Sequence, residues 1–167
     1  MTTKMLSSLF AQKTWSNNEL FIELAAISSK EHPSALRLAI RTLNHVYVVD
    51  RIFRAHLLGE VHGYAATNTE ATPELGELQF LVAETDAWFE EYAKKASATA
   101  LGERIDFRFT DGDNGTMTRE EMLFHVITHG AYHRGGAGQI MKSTSIAPPR
   151  DLYTRFLHIQ EPSRRRV

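Results

Sequence analysis

The sequence has no cysteine. That excludes disulfides, thiolate metal sites and a cysteine nucleophile, and it fits a reducing compartment, so a cytoplasmic location is expected. Net charge is also lacking. The 19 lysines and arginines nearly balance 20 aspartates and glutamates, leaving −1, so no global field draws the chain to nucleic acid or an acidic membrane. No apolar run approaches the roughly 20 residues that span a bilayer, and the opening "MTTKMLSSLF" reads as neither a signal peptide nor a membrane span. No internal repeat, low-complexity tract or linker divides the chain. What is present suits one globular domain: 167 residues, 43% hydrophobic and 23% charged, enough to bury a core. Residues 1–160 are expected to form that single domain and residues 161–167 a disordered basic tail. Eight histidines are a high count for this length.

Four stretches carry helical periodicity. In the first, Leu6, Leu9, Phe10, Leu20, Phe21 and Leu24 fall on one face. Pro33 interrupts, because it disfavours helix at His32. The second, from about Ser34 to Leu58, is apolar on more than one side and so is central; it ends near Gly59 or Gly63. The third opens on Thr72 as N-cap, Pro73 at N1 and Glu74; Leu75, Leu78, Val82, Thr85, Phe89 and Tyr92 then form a packing seam. The fourth starts with a capping box, Thr118 and Glu121, and runs to about Lys142. Before it, Ile105, Phe107 and Phe109 alternate with polar residues, and "DGDNG" is a turn signal. The expected fold class is all-α, a four-helix arrangement with a short β-hairpin before the last long helix. The "PPRDLYTRFLHIQEP" segment has room for a short further helix.

The fourth stretch contains "HVITHGAYHRGGAGQIM". His125, His129 and His133 stand four apart, on one side of a helix. A pair at that spacing can hold one ion. Three cannot, because His125 and His133 are separated by roughly 12 Å of helix rise. The core-facing stripe reads Met122, Val126, His129, His133, Ala137 and Ile140, with His125 toward its edge, so His129 and His133 are the expected pair. A third ligand must come from another element, and His45, midway along the apolar second stretch, is the best placed. His56 and His62 lie near that stretch's exit; His32 and His158 lie in loop or tail. Imidazole ligands suit nickel or zinc best, with iron or manganese as further candidates. Gly130, Gly135, Gly136 and Gly138 are costly in a helix; they admit a close neighbour or leave room for a ligand.

Other patterns lose to plainer readings. "DGDNG" departs from a calcium loop, with Gly115 at the third ligand position, Thr116 in place of the glycine and Met122 in place of the last glutamate. A His-Glu-x-x-His peptidase is excluded by Gly130. Arg164, Arg165 and Arg166 read as a solvated tail, and Trp15 and Trp88 as core anchors. Arg134 suits an anionic substrate, a salt bridge or a surface role. No catalytic residue and no organic cofactor site are assigned.

Several of these segments together resemble the DinB-like family of metal-binding four-helix proteins. They are "TWSNNELF", "RTLNHVYVVDRIFRAHLLGE", "HVITHGAYHRGGAGQIM" and "PPRDLYTRFL", in order along nearly the whole chain. Gly135-Gly136-Ala137 departs from the family's more frequent Gly-Gln. The resemblance implies an up-down-down-up bundle, a homodimer, and metal held by His45, His129 and His133. It also points to S-transferases and isomerases that use low-molecular-weight thiols, alongside members with no assigned reaction.

Three functional readings follow. The first is a metal-dependent enzyme of stress or detoxification type, thiol S-transferase-like or hydrolase-like, in which the metal activates a thiol or water; Asp50 and Tyr132 are its possible helpers. The second is a non-catalytic metal-binding, stress-associated protein. The third is a metal-free helical dimerisation module. Expected partners are a second copy of the chain and a thiol or other small molecule, with neither nucleic acid nor a membrane.

Overall fold

The computed structural model describes residues 2–165. Four long helices dominate: α1 (Thr3–Leu24), α2 (Pro33–Leu58), α3 (Leu75–Lys95) and α5 (Arg119–Lys142). Between α3 and α5 stand a single turn, α4 (Ala98–Leu101), and a hairpin of β1 (Arg104–Arg108) and β2 (Asn114–Thr118). A short α6 (Tyr153–Gln160) follows α5. The last described residues make a 3-10 turn, Pro162–Arg164, where Arg164 pairs with Glu161. Arg166 and Val167 of the expected tail lie outside the described residues.

Local chemistry accounts for the boundaries. Pro33 takes the first position of α2, where its missing N–H is not needed. Gly59 ends that helix at φ 69°, a left-handed cap that only glycine adopts freely. The capping box at α5 is complete: Thr118 accepts from the Glu121 N–H, and the Glu121 side chain accepts from the Thr118 N–H. One expected start is corrected. α3 begins at Leu75 with Glu74 as an N-cap that makes no side-chain bond, and Thr72 Oγ1 is buried without a partner among the described residues. Arg41 of α2 donates to the carbonyls of Thr69, Glu70 and Ala71. The approach is thereby tied to α2 in a non-helical path.

The hairpin is antiparallel, with Phe107 opposite Gly115. A Cβ at Gly115 would sit 2.8 Å from the Phe107 ring and 2.7 Å from the Phe109 ring. Glycine there lets both rings lie over the strand. Phe107 reaches the core, whereas Phe109 lies past the end of β1 and is exposed.

α1 packs chiefly on α3 and α2 chiefly on α5, with α2–α3 and α1–α5 as the lesser seams. The apolar interior falls into two clusters. One contains Leu20, Leu24, Leu43, Val48, Leu78, Ala137 and Met141; the other contains Leu6, Phe10, Phe53, Phe89, Met122 and Val126. A polar layer sits between the residues that α1, α3 and α5 give to each. Lys13 Nζ donates to Asp50 Oδ2 at 2.8 Å and to Asp86 Oδ1 at 2.5 Å, and all three residues are at most 2% exposed. Asn17 donates to Asp86 and accepts from Arg134 Nη1. Gly130 makes the space: a Cβ there would stand 3.2 Å from Arg134 Nη1 and 3.3 Å from Lys13 Cε.

Candidate metal centre

Three histidines converge at the α2–α5 seam. His45 comes from the middle of α2, and His129 and His133 from successive turns of α5. One ring nitrogen of each lies within 4.8 Å of the other two. The closest approach is His45 Nε2 to His129 Nε2, 3.1 Å. Ring centroids are 4.5 Å apart for His129–His133 and 4.7 Å for His45–His133. Two metal–nitrogen bonds of about 2.1 Å span at most about 4.2 Å, so the 3.1 Å pair is spaced to share an ion.

A carbonyl fixes the His45 tautomer. Its Nδ1 lies 2.7 Å from the carbonyl oxygen of Thr67, so Nδ1 carries the proton and donates, leaving the Nε2 lone pair toward the other rings. The loop carrying Thr67 is itself pinned to α2. Asn44, 2% exposed, donates to Asn68 Oδ1 and to Thr69 Oγ1, and Asn68 donates to the Arg41 carbonyl. The residue before His45 thus anchors the loop that orients its ring.

Burial decides the charge of the cluster. It pushes the His129 imidazolium down to about 3, helped by repulsion from His133, His125, His45 and Lys13. Burial also lowers His133, with His45 adding to it, and lowers His125. At neutral pH these three rings are neutral, the form that ligates a metal. His129 Nδ1 is buried with no partner among the described residues. Three imidazoles crowded together with no carboxylate among them form few bonds on their own. A divalent cation between them fits that donor set.

The expected stripe needs one correction. The buried line of α5 runs through Met122, Val126, Gly130, Arg134, Ala137 and Met141. His129 and His133 flank it and are half-buried, and Ile140 is only partly buried. The pairing survives because α2 packs along that flank. His125 stays out of the trio: its ring stacks between Phe53, at 4.6 Å, and His129, at 5.2 Å. His56 and His62 pair at 5.3 Å beyond it. His32 caps α2, and His158 is exposed.

The suggested helpers divide. Tyr132 is 79% exposed, its ring edge-on to His133 at 5.1 Å. Asp50 is not at the metal centre. It belongs to the Lys13 cluster in the core, where its charge is compensated. Arg134 is buried and bonded to Asp151. Trp15 and Trp88 are half-buried rather than core anchors, each under an arginine, Arg155 and Arg54.

The sequence model of the DinB family matches residues 1–165. The chain belongs to the DinB family. No curated protein and no solved structure matches it. In this DinB-family chain the matched region takes in all three convergent histidines and the carbonyl of Thr67.

The lowered imidazoles set an acid limit on the metal-free protein. His56, His125, His129 and His133 all hold protons less tightly when folded than the usual 6.5. Below pH 6.5 the unfolded chain takes up protons that the folded chain refuses, so stability falls as pH drops. Asp50, pushed up to about 6 by burial against the pull of Lys13, works oppositely between pH 6 and about 4, one group against four. We expect the chelator-treated protein to melt progressively lower from pH 7 to pH 5. A flat profile would show the rings titrating normally.

Proposed function

We propose that this DinB-family chain is a divalent-metal protein whose His45, His129 and His133 hold nickel or zinc, with iron or manganese as alternatives. We read it as a cytoplasmic metal-dependent enzyme, thiol S-transferase-like or hydrolase-like, of the stress or detoxification kind. One observation carries the reading: three imidazoles from two helices come together with no fourth histidine or carboxylate in the cluster among the described residues. Such a donor set leaves coordination positions for exchangeable molecules. A divalent ion there supplies Lewis acidity, which lowers the pKa of a thiol or water.

The chain's own residues supply the rest. Thr67 holds the His45 ring in one tautomer. Burial keeps His129 and His133 free of protons. Half-exposure of the trio gives small molecules access. Because the chain has no cysteine, a sulfur nucleophile must arrive as a small molecule, and a low-molecular-weight thiol is the expected co-substrate.

The second reading, a non-catalytic metal-binding stress-associated protein, is favoured by one feature. The three-histidine cluster includes no carboxylate that could serve as a general base. A conjugation screen separates the two. Protein loaded with nickel or zinc is incubated with bacterial thiols and a panel of electrophiles, with and without chelator. The enzyme reading predicts conjugation that chelator abolishes and metal restores. Metal binding with no turnover across the panel would leave the second reading. A chain that binds no metal would leave the third, a helical dimerisation module.

For architecture, the ring of helix contacts supports the up-down-down-up bundle. For assembly we propose a two-fold homodimer built from helices. Exposed apolar side chains support it: Ile22 on α1, Leu38 on α2, and Phe124 on α5. Light scattering at micromolar concentration should give twice the 18.9 kDa chain mass; a monomer mass would contradict it.

A further inference from the structure

A cavity of about 430 Å³ opens between α1, α5 and the segment leading into α6, within the size range of small-molecule sites. It is separate from the metal centre. Gly135, on its wall, and His133 lie about 200° apart around the helix.

The polar end of this cavity is built from buried groups gathered on one carboxylate. Gln12 Nε2 and Ser16 Oγ both donate to Asp151 Oδ1 at 2.6 Å, and Arg134 Nε donates to Asp151 Oδ2 at 2.7 Å. Arg134 is 4% exposed and Gln12 7%. Since a carboxylate only accepts, these bonds fix which way the Gln12 amide points. Two groups remain unpaired among the described residues. Arg134 Nη2 is a donor and Gln12 Oε1 an acceptor. Arg134 and Asp151 cancel in charge, so the polar end presents one donor, one acceptor and no net charge. That is the complement of an amide edge.

The rest of the lining is mostly apolar, with Leu20, Ala131, Pro148 and Pro149 beside the α5 backbone at Gly135 and Gly138, and Gln139 and Tyr153 adding polar atoms. Glycine is a poor choice inside a helix; on α5, Gly130 admits Lys13 and Arg134 and Gly138 admits Pro148 at 3.2 Å, whereas Gly135 and Gly136 have no such close neighbour. A Cβ at Gly135 would meet nothing within 4 Å. The bare backbone there borders empty cavity.

We infer that this cavity binds a neutral, planar small molecule with an amide-type edge, such as a heteroaromatic carboxamide or a lactam. The ring lies between Pro148–Pro149 and Gly135, and its edge meets Arg134 Nη2 and Gln12 Oε1. This site stands independently of the metal reading.

Saturation-transfer NMR on the full chain tests it, with nicotinamide as probe and nicotinate as its charged counterpart. Nicotinamide should bind at low millimolar concentration or better. Nicotinate should bind at least tenfold more weakly, because its carboxylate cannot donate to Gln12 and faces Asp151. Gly135→Leu should abolish the nicotinamide signal by filling the cavity while melting no lower than wild type, since leucine favours helix and its Cβ meets no neighbour within 4 Å. His129→Ala should leave the signal unchanged, which separates this site from the metal centre. No transfer from nicotinamide, equal binding of nicotinate, or full binding in Gly135→Leu would each overturn the proposal.

Discussion

Replacing Lys13 with methionine should lower the stability of the fold by about 3–5 kcal/mol, the cost of breaking a buried ion pair from one side. Lys13 is 0% exposed and is the only cation bonded to Asp50 and Asp86 among the described residues. Removing it leaves two carboxylates facing each other across a space closed to water. Domains of this size are stable by roughly 5–15 kcal/mol, so the loss is a large part of the whole. The folded Lys13 reflects this: burial opposes its charge, yet Asp50 and Asp86 outweigh burial and hold its pKa above the usual value. Two further results should accompany the loss. It should shrink as pH falls, because Asp50, already pushed up to about 6 by burial, takes a proton and removes part of the uncompensated charge. Adding Asp50→Asn and Asp86→Asn to Lys13→Met should recover much of it. Urea midpoints read all three, and a single-variant loss under about 1 kcal/mol would mean that water reaches the cluster.

The second large effect is metal-linked stability. An ion that binds only the folded chain stabilises it by about 2.7 kcal/mol at a hundred times its dissociation constant. Wild-type protein treated with chelator should gain that much when nickel or zinc is restored. His129→Ala should gain almost nothing at the same concentration, because losing a ligand costs more than the 10–100-fold typical of outer-shell changes. The metal-free variant should be about as stable as metal-free wild type. It loses a half-buried ring but also the unpaired nitrogen at His129 Nδ1. Calorimetry with and without metal reads the difference. An equal shift in both proteins would place the ion elsewhere.

The His129–His133 pair and most of the helices are legible in the sequence because both rest on local spacing. Two histidines at i, i+4 must share a helix side, and Pro33, Gly59 and Thr118 mark ends through backbone chemistry that acts within a few residues. The polar layer was harder, although a trace of it was present. Lys13 falls between Phe10 and Asn17 on the stripe that leads to Leu20 and Leu24, and Asp86 falls between Val82 and Phe89. A charge on an apolar stripe signals burial. Which charges meet depends on how four helices come together, and one chain's periodicity does not contain that. Asp50 therefore reads from the sequence as a possible helper, whereas in the structure it neutralises Lys13. The carbonyl that orients His45 left no trace at all. Any residue can supply a backbone oxygen, and Thr67 reaches the ring only because Asn44 and Arg41 pin its loop. The start of α3 was misplaced for the same reason, since Arg41 acts on that loop from a distant helix.

The most direct test of the central claim is metal content per chain in protein purified without an affinity tag or added metal. Wild type and His125→Ala should each carry close to one equivalent of divalent ion. His45→Ala, His129→Ala and His133→Ala should each fall near zero while remaining folded. Loss of metal in His125→Ala, or its retention in His45→Ala, would contradict the assignment of the ion to His45, His129 and His133.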